Sequence, residues 1–186
     1  MIAPTTLVVM ANNTFCQINH LKKGDVVLTL NGPTAVECII QKFKSTYQFN
    51  DDHDFTVYGP FNKNHPIIVL DENNENKNNK KINKKYQKAK DVYNNRFKLI
   101  TQLFDVVLEN RSDLIVWDDT EDKWLAVATL AHQKTNGYVY HELYGTNKII
   151  DNLKSIMPNM YEQGYIDMSD LYCIRDYNGH VTEYTV

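Results

Sequence analysis

Cysteine is scarce in this 186-residue chain: Cys16, Cys38 and Cys173 are all there is, an odd number with no Cys-x-x-Cys spacing. That argues against a disulfide scaffold and favours a reducing, intracellular compartment. Long apolar runs are missing too, and none approaches the roughly 20 residues that cross a bilayer. An excess of charge is also lacking: 20 basic against 23 acidic residues leave a net charge of −3 and a pI near 6.0. Nothing in that balance draws the chain to nucleic acid or to a membrane surface. The N-terminus lacks the charged and apolar regions of a signal peptide.

What is present is ordinary and strand-rich. Apolar residues make up 42% and charged residues 23%, enough for a core without staples in one domain, or in one domain plus an extension. The apolar stretch at 6–10 begins almost at residue 1, so the start of the chain is expected to lie inside the fold and to have a job there. "VVLTL" at 26–30, "NGP" at 31–33 and "TAVECIIQKF" at 34–43 read as a hairpin. "DFTVYG", "HPIIVL" and "FKLITQLFDVVLEN" add strands, the last as two strands or one bent one. "DLIVWD" and "KWLAVATLAH" read as a hairpin about Asp118-Asp-Thr-Glu-Asp122, with the acids solvated. So many short strands at short spacing predict an all-β fold.

Three stretches depart from that pattern. "DENNENKNNKKINKK" at 71–85 has no apolar face to bury, so it reads as a disordered surface loop. "YQKAKDVY" at 86–93 has room for two helical turns. "TNKIIDNLKSIMPNM" places Ile149, Ile150, Leu153, Ile156 and Met157 at helical spacing before Pro158. Strands are expected again at 165–186.

His65 is the most pointed residue chemically. It opens an apolar strand, and Pro66 fixes the backbone beside it. Histidine titrates near neutrality and exchanges protons, although a turn cap is the plain alternative. His132 closes "WLAVATLAH" and His141 follows it. Together with His65 they would suffice for zinc in principle, but the spacing matches no common metal signature, and no metal or other cofactor is expected. His20, His53 and His180 lie beside turns, and the cysteines read as small core residues. The 12 tyrosines are dispersed and form no stacking stripe for nucleic acid.

Three ordered segments resemble the Hint family, the fold shared by hedgehog C-terminal domains and inteins. The first is Met1-Ile-Ala-Pro-Thr-Thr6-Leu-Val8, followed by "ANNT", Ile18 and "LKKGDVV" at 21–27. The second is Asn62-Lys-Asn-His65-Pro66, and the third is "LFDVVLENRSDLIVWDD" at 103–119. Beyond these, Thr129-Leu-Ala-His132, "YHELYGTNKIIDNL" and "YEQGYIDMSDLYCIRDYNGHVTEY" are similar to the Vint subtype, found beside von Willebrand type A modules.

That resemblance implies a horseshoe of bent strands with pseudo-two-fold symmetry. It implies a Hint core at 1–133 and a Vint-type extension at 134–186, with a short helix and strands, packed on the core. It also implies autocatalytic cleavage of the peptide bond before residue 1, through an N-to-S acyl shift and a thioester, in a single turnover. The family places a cysteine nucleophile where Met1 stands, and a thioether has no proton to lose. The chain as written is therefore expected to be inactive, with an initiator methionine in the cysteine's place. His65 is the expected acid and Asn62 takes the family's threonine position. His132 is the second polar group, its strand end lying near residue 1, and His141 and Thr129 complete the candidate set. "HVTEYTV" at the end lacks the His-Asn of inteins, so full splicing is not expected. The implied partner is a covalently linked N-terminal flanking domain, of von Willebrand type A kind, on a monomeric module. The rival class is a non-catalytic binding or spacer module on the same fold.

Overall fold

The structure, a computed structural model, describes residues 1–44, 55–63, 65–70, 86–94, 96–132 and 143–186, and only the backbone of Leu70. The polar stretch at 71–85, His53 and His141 lie outside the described residues. No helix among the described residues is long and apolar enough to cross a membrane.

The chain begins with a small hairpin, β1 (Leu7–Val9) and β2 (Phe15–Gln17), then β3 (Val26–Thr29) and β4 (Gly32–Phe43). The β3–β4 turn closes through Gly32, whose φ of 99° falls where a side chain is disfavoured. Next come β5 (Thr56–Tyr58), β6 (Phe61–Asn62) and β7 (Pro66–Leu70). The segment at 86–93 makes a two-residue strand, β8 (Gln87–Lys88), and a single turn, α1 (Ala89–Val92), where two helical turns were expected. The run from 97 to 110 resolves into two strands, β9 (Phe97–Leu99) and β10 (Gln102–Leu108). β11 (Leu114–Asp118) and β12 (Lys123–Val127) form the expected hairpin, with Asp118 opposite Lys123.

Two corrections belong here. β12 stops at Val127, so His132 lies five positions beyond the ladder and does not end a strand. Asp118 is not solvated: it is buried and accepts a hydrogen bond from the Tyr93 hydroxyl.

β4 bends the sheet. Its first residues pair with β3, and from Val36 onward it pairs with β10. The main sheet runs β10-β4-β3-β11-β12-β7-β8, with β1 and β2 joined to it through β11. β5, β6 and β9 form a separate three-stranded sheet. One core gathers Val8, Ile18, Phe61, Phe104, Val116 and Leu125 between these layers. This is the all-β fold that alternation in the sequence predicts.

The C-terminal segment holds α2 (Lys148–Ile156), α3 (Pro158–Gln163), β13 (Tyr165–Asp167), and the hairpin of β14 (Tyr172–Arg175) with β15 (Val181–Thr185). Pro158 takes the first helical position of α3, where its missing N–H costs nothing. β13 adds to β4 in parallel, Ile166 beside Ile40. Successive residues of a strand face opposite sides. Ile39 accordingly enters the first core, while Cys38 and Ile40 enter a second, shared with Ile149, Ile150, Leu153 and Ile166. Burial there pushes the Cys38 thiol up to about 12.

Candidate active site

The first residue is clamped on both sides. Ile2 is fully buried and exchanges backbone hydrogen bonds with Phe104 of β10, its N–H donating at 2.7 Å and its carbonyl accepting at 2.8 Å. The Ala3 N–H donates to the Pro60 carbonyl at 2.6 Å, and the Asn62 N–H to the Met1 carbonyl at 3.0 Å. Residue 1 therefore sits in a fixed frame between β6 and β10.

That frame aims its nitrogen. The Met1 ammonium donates to Nδ1 of His65 at 2.9 Å and lies 3.4 Å from Oδ2 of Asp105. His65 is buried, and its ring stacks on Phe61 with centroids 5.5 Å apart. Its backbone is pinned through His65 N–H to the Asn62 carbonyl at 2.8 Å and Ala89 N–H to the His65 carbonyl at 3.1 Å. Burial holds the imidazole well below its usual range, and the positive charge on the residue 1 nitrogen adds to that. The Ala128 backbone beside the ring favours protonation, but by less. His65 Nε2 is buried without a hydrogen bond of normal geometry.

Asp105 sits in the middle of β10, in an apolar stretch buried from Leu103 to Leu108. Burial raises its carboxyl above the usual range. The residue 1 ammonium and the Val106 N–H, which donates to Oδ1 at 3.0 Å, favour the charged form. The Met1 side chain packs against two apolar clusters, the one shared with the C-terminal segment and a smaller one of Phe55, Val57 and Leu103.

Of the residues singled out from sequence, Met1, Asn62 and His65 come together here. His132 has its hydrogen bonds elsewhere. Its Nε2 lies 2.9 Å from Oδ1 of Asp113 and 3.2 Å from the Tyr86 hydroxyl, which itself donates to Asp113 at 2.6 and 2.5 Å. Burial and the neighbouring Asp113 raise the Tyr86 phenol above its ordinary range. The Thr129 hydroxyl donates to the Ser112 carbonyl at 2.8 Å rather than to residue 1. A cleft of about 220 Å³, lined by Ala3, Thr6, Tyr93, Trp117 and Asp118 among others, includes neither Met1 nor His65. It therefore does not mark the chemistry.

Asp105, Asp113 and Tyr86 were not singled out from sequence. A readable signal existed for Asp105: an acid inside the apolar stretch "LFDVVL" is either paired or functional. Asp113 and Tyr86 meet across 27 positions, and no local pattern announces that.

The chain is a Hint domain, a bent all-β sheet whose first residue here lies between His65, just ahead of β7, and Asp105 of β10. Within that class the chain belongs to the Vint family, whose model, described as Hint-domain, matches residues 2–182. No curated protein matches the chain.

Proposed function

We propose that this domain processes the polypeptide that carries it, cutting the peptide bond on the N-terminal side of residue 1. The observation that carries this reading is the residue 1 nitrogen, 2.9 Å from His65 Nδ1 and 3.4 Å from Asp105. In a chain that continues upstream this nitrogen is the amide nitrogen of the bond to be cut. With cysteine at position 1, the sulfur attacks the preceding carbonyl carbon, the S–C bond forms and the C–N bond breaks. The thiol proton ends on the released amine, and the carbonyl is left as a thioester. Asp105 takes the thiol proton, and His65 in its imidazolium form gives its Nδ1 proton to the departing nitrogen; the proton held by Asp105 then passes to the released amine, which leaves His65 neutral, Asp105 charged and the amine as an ammonium. The ammonium that results would sit as the Met1 ammonium sits, donating to His65 and paired with Asp105.

Methionine at position 1 supplies no nucleophile, so the chain as written is inert in this reading. Residues 1–133 are the Hint core and 134–186 the extension that packs on it. The cut partner is the segment fused ahead of residue 1, for which a von Willebrand type A neighbour is the family's example. A second reading has one observation in its favour: the Met1 side chain fills space between two apolar clusters. That suits a non-catalytic module in which methionine became a packing residue.

One experiment separates them. A Met1→Cys protein with a short N-terminal extension is incubated with a thiol and followed by mass spectrometry. Cleavage at the junction, absent from the extended protein that keeps Met1, supports self-processing. Intact precursor after long incubation overturns it in favour of the packing role.

A further inference from the structure

The five residues after β12 leave the ladder, yet each is tied to a different part of the molecule. The Ala128 N–H donates to the Pro66 carbonyl at 3.1 Å, one residue from His65. The Thr129 hydroxyl is tied to Ser112. The Leu130 N–H donates to the Val106 carbonyl at 3.0 Å, one residue from Asp105. The Ala131 N–H donates to the Tyr144 carbonyl at 2.7 Å. His132 then anchors the end in the buried group of Tyr86 and Asp113. One short segment thus borders both groups that face the residue 1 nitrogen.

The backbone of that segment is not relaxed. Ala131 has a φ of 61°, a left-handed conformation that alanine keeps only where its surroundings over-determine it. The anchor on its C-terminal side is the His132 ring. Nε2 faces an acid that already accepts from Tyr86, so Nε2 carries a proton and donates to Asp113. Nδ1 is buried and, among the described residues, has no partner. Among the described residues the ring is therefore held by one end only, through Asp113 and Tyr86.

We propose that His132 is a positioning residue: clamped by Asp113 and Tyr86, it fixes the Ala128–His132 segment that sets the placement of His65 and Asp105 about residue 1. This rests on the self-processing reading for its consequence, but not for its geometry. Loosening the clamp shifts the His65 ring relative to the nitrogen. Misplacement on the scale of an ångström slows a positioned reaction by roughly 10- to 100-fold.

The test uses two readouts. In the chain as it stands, with Met1, the histidine ring nitrogens are followed by NMR in the parent, Tyr86→Phe and Asp113→Asn proteins. Movement of the His65 signals and of its titration midpoint is expected. Movement of His132 signals with His65 unchanged overturns the proposal, and so does loss of folding in both variants, which would make the group merely structural. The second readout is cleavage of the extended Met1→Cys protein. Tyr86→Phe and His132→Leu should slow it roughly 10- to 100-fold, while His132→Gln, whose amide still donates to Asp113, should restore much of the rate. Equal rates in all three overturn the proposal. If the Met1→Cys parent does not cleave, the self-processing reading fails, and the NMR comparison still decides the positioning claim.

Discussion

The nitrogen of Met1 and Nδ1 of His65 meet at 2.9 Å across 64 residues of chain. The contact couples two charges. An ammonium at residue 1 disfavours the imidazolium form of His65 and favours the carboxylate form of Asp105. An amide in the same place carries no charge and does neither. The two groups therefore change character when the bond before residue 1 is cut.

The first expected outcome concerns that coupling. Extending the chain by a few residues ahead of Met1 should raise the His65 titration midpoint above its value in the free chain. Burial still keeps it below the ordinary histidine range, because desolvation is the larger cause. Histidine ring NMR of the two proteins makes the comparison. Identical midpoints would show that the residue 1 nitrogen does not sense His65 in solution.

Stability against pH follows from the same burial. The folded-state midpoint of His65 is lowered, so below about pH 6.5 the unfolded chain binds a proton that the folded chain refuses. Stability should then fall with falling pH, by up to about 1.4 kcal/mol per pH unit from this group alone. Asp105 is raised and acts oppositely: the folded state holds its proton longer, so stability falls as pH rises from about 4 through its folded value. His65→Gln should flatten the profile between pH 6.5 and 5, measured by urea unfolding. An unchanged slope there would mean that the imidazole is not kept neutral.

The chemistry gives a third. In the extended Met1→Cys protein, His65→Gln should slow cleavage by roughly 10²–10⁴-fold, the usual contribution of a positioned proton donor. Asp105→Asn should slow it by a similar factor, since the amide cannot take the thiol proton. His65→Ala is a poorer test, because the ring is buried and stacked on Phe61 and its loss also leaves a cavity. Cleavage at parental rate in either Gln or Asn variant would remove that residue from the mechanism.

Strand alternation and turn chemistry were enough to read the β3–β4 and β11–β12 hairpins and the apolar stripe of α2 from sequence. Ile149, Ile150 and Leu153 are all buried as that stripe requires. His65 was legible because a histidine followed by proline at the start of an apolar strand is a local pattern. Its partner Asp105 carried a local signal too, as an acid inside an apolar strand, but what it pairs with was not legible, because that depends on β10 crossing the first residues of the chain. His132 was misplaced for a related reason. Its apolar run looks like a continuous strand, but hydrogen bonding passes to other elements after Val127, and the ring pairs with Asp113 and Tyr86.

The C-terminal segment gives the last expected outcome. Cys38, Ile40, Val107 and Leu130 bury one face against Ile149, Ile150, Leu153 and Ile166. β13 completes the edge of β4, with the Ile39 N–H donating to the Gly164 carbonyl at 2.9 Å and the Met168 N–H to the Gln41 carbonyl at 2.8 Å. Glu37 on β4 adds a polar seam, accepting from the Tyr161 hydroxyl at 2.7 Å and from Arg111 at 2.6 Å. Its carboxyl is lowered overall: burial acts to raise it, but Tyr161, Arg111 and Lys154 together outweigh that. Single truncations such as Ile150→Ala should cost about 2–5 kcal/mol, a large share of the 5–15 kcal/mol that holds a typical domain. Ending the chain after Gln133 removes all of these contacts but that of Arg111 with Glu37, and leaves an unpaired β4 edge beside exposed apolar side chains. The shortened protein should therefore fail to give a monodisperse, cooperatively melting species by size exclusion and thermal unfolding. A soluble monomer melting near the intact protein would show that the first 133 residues fold alone and that the C-terminal segment is an addition to their core rather than part of it.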